Sequence, residues 1–261
     1  MAYVLDQAAP TERDRLDTMA RAWDPGTLRL VADLGIGAGQ RCLEAGAGAG
    51  SVARALAEVV GAEGYVLAVD ADTRFLDGLA PQVEVLTADL MTDDLPRAAF
   101  DLVHARLLVA HLHPHGDALA RLAAAVAPGG WLLVEEVDWT YGDRVEPPEP
   151  VHTKMIAALA DIMGAGGFDA TYGARLLGDV AALGLTEVAA EFRGTQAWSW
   201  RSWQHLADRF ADQIVHSGHM TAEDVARWWA LSRAGTHLVA GPAMFAVRAR
   251  RQHATGSDPN P

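Results

Sequence analysis

The stretch DLGIGAGQRCLEAGAGAG, Asp33 to Gly50, carries one pattern twice: Asp33 leads Gly35, Gly37 and Gly39, and Glu44 leads Gly46, Gly48 and Gly50. Only the second copy has the flanks of a ligand-binding turn. RCLEAG ahead of it reads as a short strand, and SVARALAEVVG behind it sets Val52, Leu56, Val59 and Val60 at helical spacing before a stop at Gly61. The first copy follows TLRLVADLG, which reads as a helix ending at glycine, and QRCLEAG behind it is too short for a new helix. The second copy is therefore the strand, loop and helix unit, and the first is a helix stop and turn.

Downstream spacing agrees. GYVLAVDAD has the nearly continuous apolar run of a strand covered on both faces, and it ends in Asp70, 20 residues beyond Gly50. An acid at that strand end can accept both hydroxyls of a ribose. VEVLTADL reads as a third strand with Asp89 near its end, FDLVHARLLVAHL as a fourth, and WLLVEEVDW as a fifth. Between the last two, ALARLAAAVAPGG reads as a helix closed by Pro128, Gly129 and Gly130. Past Trp139 come a proline-rich loop, a helix over 151–163, a glycine-rich hinge and a further helix. TEVAAEFRGTQAW then supplies a sixth strand, two helical stretches lie between Trp198 and Ala240, and PAMFAVRARR is a seventh strand. This alternation predicts an α/β fold: a Rossmann-like, seven-stranded, doubly wound, mostly parallel sheet with helices on both faces and a helical cap. The expected segments are a helical N-terminal lid over 1–30, a core over 31–143, a lid insertion over 144–170, and the rest of the core over 171–251 with the cap at about 198–240. A polar tail over 252–261 is expected to be disordered.

A chain of 261 residues, half of them hydrophobic, can bury an ample core, and no run approaches the roughly 20 apolar residues of a membrane span. The first residues lack a basic start and an apolar run, so a cytoplasmic protein is expected. A single cysteine, Cys42, excludes a disulfide framework and reads as a buried small side chain. A net charge of -13 argues against nucleic acid or an anionic membrane as partner.

LEAGAGAG, the acidic end of VLAVD, the aspartate of TADL, the FDLVHA strand and APGGWLLVEE together resemble the class I S-adenosylmethionine (SAM) dependent methyltransferases, closely over about residues 25–140. The nearest flavour is the bacterial small-molecule enzymes that resemble the ubiquinone-pathway methyltransferases. The resemblance implies a last strand that is antiparallel and SAM as cofactor. It implies that Glu44, Gly46, Ala47, Gly48 and Gly50 meet the methionine part, with bare backbone where side chains would obstruct. It assigns Asp70 to the ribose, Ala71 to Phe75 to the adenine face, and Ala88, Asp89 and Leu90 to the adenine edge. His104, Ala105 and Arg106 fall to the amino-acid end, and Tyr3 and Gln7 to a covering lid. A nicotinamide or flavin site is the rival, but its fingerprint wants glycine or alanine where Ser51 stands.

HLHPHGD, His111 to Asp117, tempts a metal assignment, yet no cysteine or acidic cluster completes a ligand set, so no metal is expected. His111 borders the pocket and is the first candidate general base, with His216, His219 and His237 as alternatives. Glu135 and Glu136 end the fifth strand, and alternation turns one of them toward the cleft; Glu136 is the second catalytic candidate. Trp198, Trp200, Trp203, Trp228 and Trp229, with Phe168, Phe192 and Phe210, either pack a core or wall a pocket for an apolar or aromatic acceptor. The fourth strand lacks the Asn/Asp-Pro-Pro-Tyr/Phe run of enzymes acting on base or glutamine amino groups, which favours a small-molecule acceptor. Two readings stand: methyl transfer to O, N or C of a small, partly apolar metabolite, or SAM binding without transfer, for cyclisation or regulation.

Overall fold

The computed structural model describes residues 11–195 and 199–253; Tyr3, Gln7, Trp198 and most of the expected tail lie outside them. The elements run α1 (Glu12–Asp33), β1 (Arg41–Ala45), α2 (Ser51–Val60), β2 (Tyr65–Asp70), β3 (Val83–Thr87), β4 (Phe100–Arg106), α3 (His115–Ala125) and β5 (Val126–Asp138). Then follow β6 (Val145–Glu146), α4 (Pro150–Ala165), α5 (Gly173–Ala181), β7 (Thr186–Arg193), α6 (Trp200–Arg209), α7 (Ala211–His216), α8 (Ala222–Ala234), β8 (Leu238–Val239) and β9 (Ala243–Arg250).

Seven strands form one sheet in the order β3-β2-β1-β4-β5-β9-β7, and β9 alone runs against its neighbours. The register aligns Ala45 with Val69 and with Ala105, so the carboxyl ends of β1, β2 and β4 open on one rim. Strand alternation feeds two cores. Leu43, Leu67, Val103 and Leu132 face α3, α4 and α5, while Cys42, Val66, Leu102 and Leu133 face α2 and the second half of α1. Each fully buried leucine contributes about 1.5–3 kcal/mol, and Leu43, Leu56, Leu67, Leu102, Leu119, Leu122 and Leu132 are all in that class.

α1 is a single helix running through the boundary expected at residue 30. Trp23 at its midpoint joins the core beneath the cap, and Leu30 and Val31 near its end pack beside α2. It stops at Gly35 (φ 74°), as the first glycine copy predicts. Three local expectations change. Pro128, Gly129 and Gly130 do not close α3 but lie within β5, where pairing jumps from Phe100–Val126 to Leu102–Trp131. The cap region holds three helices, because Phe210 ends α6 and begins α7. The proline-rich segment contributes β6, which pairs with β8 in a two-stranded ribbon. No helix among the described residues is long and apolar enough to cross a membrane.

Candidate active site

A cavity of about 370 Å³ lies at the carboxyl rim of β1, β2 and β4, under the first half of α1. That volume falls in the range of small-ligand pockets. Its floor is the Glu44 loop. Gly46 and Gly48 adopt φ of +71° and +54°, which side chains rarely tolerate, and a Cβ on Gly46 would meet Leu108 at 3.1 Å. The loop is tied to β2: Gly46 and Ala47 donate to the Val69 carbonyl at 2.8 and 3.0 Å, and Gly48 donates to Asp70 Oδ2 at 2.8 Å. Asp70 Oδ1 accepts from the Asp72 amide, and Asp89 Oδ1 from the Met91 amide.

The residues present fit SAM. Nothing larger than a methyl group projects from Gly46 to Ala49, and Glu44, Asp70 and Asp89 bring one carboxylate from the end of each of three neighbouring strands to the same cavity. Carboxylates only accept hydrogen bonds when ionised, which suits an ammonium, a ribose diol and an exocyclic amine. Ala71, Phe75, Ala88, Leu90 and Arg106 line the cavity with them.

Four expected positions do not line it. Gly50 caps α2, where a Cβ would lie 2.9 Å from Leu76. Ala105 is fully buried in the sheet. His104 is also fully buried and sits behind Glu44. Its Nδ1 is 2.5 Å from Glu44 Oε2 and its Nε2 is 3.1 Å from Glu135 Oε2. Glu135 Oε2 also accepts from Thr27 Oγ1 at 2.5 Å, and its Oε1 accepts from Arg193. Thr27 in turn accepts from Arg106 at 2.8 Å, and Arg106 bonds Asp24 at 2.7 Å. Burial pulls the His104 pKa down, but Glu44 and Glu135 outweigh it and hold the imidazole at about 9. Burial opposes ionisation of Glu135, and His104, Arg106 and Arg193 overcome it, holding that carboxyl at about 2. Burial raises the Glu44 carboxyl, with His104 opposing.

Glu136 is the fourth. The expectation that it faces the cleft gives way because Glu135 turns into the His104 cluster while Glu136 Oε1 caps the turn after β4, accepting from the amides of Leu108, Val109 and Ala110 at 2.9, 2.6 and 3.3 Å. Its Oε2 is buried without a partner among the described residues. Burial raises this carboxyl to about 8 against the pull of those amides. The folded chain therefore holds a proton that the unfolded chain releases above about 4.5, and the stability this provides is lost as pH rises through about 8. Glu136→Gln, which keeps an acceptor but cannot ionise, is expected to gain at least ~1 kcal/mol on the wild type between pH 6 and pH 9 in urea unfolding. An equal difference at both pH values would count against this.

The other end of the cavity is apolar and comes from elements the motifs did not reach: Trp23 of α1, Trp139 after β5, Met163 of α4, Phe168, and Leu206 of α6. His111 lies there, its ring 4.7 Å from that of Phe168, and burial, helped by Arg15, lowers its pKa to about 3. The Arg15 guanidinium grips Glu12 through two bonds of 2.9 and 2.7 Å in the same wall. That pair has an amphipathic helix start as its only sequence signal. His216, His219 and His237 do not line the cavity. His113 packs on His115, whose Nδ1 lies 2.7 Å from the Leu112 carbonyl. Two of the cap tryptophans pack a core rather than a wall: Trp203 and Trp228 are fully buried, and Trp228 donates to His152 at 3.1 Å.

The chain matches a methyltransferase-domain family model over residues 15–238. It is similar to methyltransferase str2 of Strobilurus tenacellus, 31% identical over 175 residues, which is 67% of this chain and 63% of the relative. Among solved structures it resembles the YcgJ protein of Bacillus subtilis (TM-score 0.59, 18% identity, 86% of this chain and 97% of that one). It also resembles Haemonchus contortus phosphoethanolamine N-methyltransferase 2, solved with phosphomonomethylethanolamine and S-adenosylhomocysteine (TM-score 0.56, 15% identity, 92% and 53%). The chain thus spans less than two thirds of str2 and of the Haemonchus enzyme. With the family model covering most of the chain and the sheet order and glycine-loop site in place, the chain belongs to the class I SAM-dependent methyltransferase family.

Proposed function

We propose that this protein transfers a methyl group from SAM to an oxygen, nitrogen or carbon of a small, partly apolar metabolite. The observation that carries this reading is one cavity joining the glycine loop and three acidic strand ends to a wall of Trp23, Trp139 and Phe168. SAM supplies a methyl already activated on sulfonium, so the protein's task is to align a nucleophile and exclude water. In this reading Asp70 holds the ribose, Asp89 and the Leu90 backbone hold the adenine edge, and Glu44 and Arg106 meet the amino-acid end. The aromatic wall takes the acceptor's apolar body. The net charge of -13 supports a small acceptor over nucleic acid.

His111, kept neutral by burial, accepts a hydrogen bond from an acceptor hydroxyl. Its low pKa means that the imidazole loses its proton far below neutrality, so kcat should show no acidic limb near 6.5. His111→Phe should lower kcat for hydroxyl acceptors by ~10²-fold and leave S-adenosylhomocysteine affinity intact. The whole reading is tested by calorimetry with SAM and by methyl-labelled SAM offered with phenolic, enolic and amine acceptors. Heat and a labelled product are expected. Absence of heat would sink the cofactor assignment, and heat without label would favour binding alone.

A further inference from the structure

His104 touches neither rim of the cavity, yet it stands between a cavity-lining carboxylate and the buried cluster that joins β4, β5, β7 and α1. We infer that His104 is a positioning residue: as a buried imidazolium it fixes Glu44 as a charged acceptor for the ammonium at the amino-acid end of the cofactor. This rests on the reading that SAM occupies the cavity.

The hydrogen-bond count carries the argument. Both ring nitrogens lie within bonding distance of carboxylate oxygens, at 2.5 Å to Glu44 and 3.1 Å to Glu135. A neutral imidazole has one N–H to donate, so its other nitrogen would set a lone pair against a carboxylate. Glu135 is kept ionised by the Arg193 guanidinium on Oε1 and the Thr27 hydroxyl on Oε2, which fixes the Nε2–H. The short Nδ1 contact holds one further proton, and the inference places it on the ring as an imidazolium, with Glu44 as the carboxylate rather than the neutral acid.

The other charges around the ring support this. Arg193 comes from β7, Arg106 from the end of β4 and Asp24 from α1. Glu191 also meets Arg193, at 3.3 Å, and the proton of the His104–Glu44 contact leaves the net charge of the cluster the same on either partner; the nearby Arg106 guanidinium favours it on the imidazole, with Glu44 as the carboxylate. The consequence for the site is directional: Glu44 is restrained by one oxygen from behind while its residue lines the cavity in front.

The test compares two ligands that share the adenosine end, S-adenosylhomocysteine and 5′-methylthioadenosine, of which only the first carries the ammonium and carboxylate. By calorimetry, His104→Gln, which carries no charge and turns its carbonyl oxygen toward one carboxylate when its amide faces the other, should weaken S-adenosylhomocysteine by about 10-fold or more and leave methylthioadenosine within about twofold. Glu44→Gln should show the same split, and the double variant should lose no more than either alone. Equal weakening of both ligands, or no change in either, overturns the inference. Should the variants fail to fold, nitrogen NMR of the wild-type imidazole decides: two protonated ring nitrogens at pH 7.5 are expected, and a single one overturns it. Wild-type protein that binds neither ligand would instead refute the cofactor reading itself.

Discussion

Replacing Asp70 with alanine is expected to weaken S-adenosylhomocysteine binding by ~100-fold or more. Two losses add. A carboxylate accepting two ribose hydroxyls makes charge-assisted bonds of about 1.5–3 kcal/mol each. The same side chain also holds the glycine loop through the Gly48 amide at 2.8 Å and the following turn through the Asp72 amide at 2.9 Å. Asp70→Asn separates the two. Asparagine keeps an acceptor for one amide, sets its NH2 against the other, and offers a donor where the ribose needs an acceptor, so affinity should fall as in the alanine variant while thermal stability falls less. Calorimetry beside a melting curve reads both quantities. An Asp70→Ala protein that binds with undiminished affinity would remove the ribose assignment.

Glu135→Ala is expected to be the most destabilising single change at the site, by about 3–5 kcal/mol, with a fall in melting temperature on the order of 10 °C. Glu135 is fully buried, and removing it leaves the His104 imidazolium and the Arg193 guanidinium facing an empty space. The pH dependence gives a second reading. Because the folded carboxyl is held at about 2, below its ordinary value of 4.5, its contribution is fully present above about 4.5 and is lost as pH falls toward 2. The deficit of the variant should therefore be largest at neutral pH and shrink in acid. Urea unfolding at pH 7 and pH 3.5 measures it, and a midpoint equal to wild type at pH 7 would contradict the ion pairs assigned to the cluster.

The glycine-loop half of the cavity was legible because its requirements are local. A strand with Glu44 near its end, a loop too tight for side chains and an acid at the end of the next strand are all written within forty residues; Asp70 lines the cavity as its spacing predicts, and Asp89 lines it as the family resemblance implies. The failures share a different cause. Strand alternation shows that Glu135 and Glu136 face opposite ways but not what lies on either side, and both sides proved to be protein: a histidine and arginine cluster on one, three backbone amides on the other. His104 was placed against the cofactor because its strand end is right; it points behind the loop because Glu44 and Glu135 flank it from the neighbouring strands. The acceptor half draws on α1, α4 and α6, segments far apart in the chain whose shared surface no periodicity records. The choice between core and pocket wall for the tryptophans was open for the same reason. Their spacing marks an apolar helix face, and only the packing reveals that Trp203 and Trp228 face each other's neighbours while Trp23 and Trp139 face the cavity.

The antiparallel β9 has a bearing on how the molecule comes into being. It is the last of the seven strands to leave the ribosome, yet it belongs in the interior of the sheet, between β5 and β7. Until residues 243–250 emerge, the backbone groups of β5 and β7 that face one another across that gap have no ladder partner, and at 5–20 residues per second that interval lasts several seconds. Nascent chains halted before residue 243 should thus expose two sticky edges and recruit chaperones, and chains extended until residues 243–250 are clear of the ribosome should not.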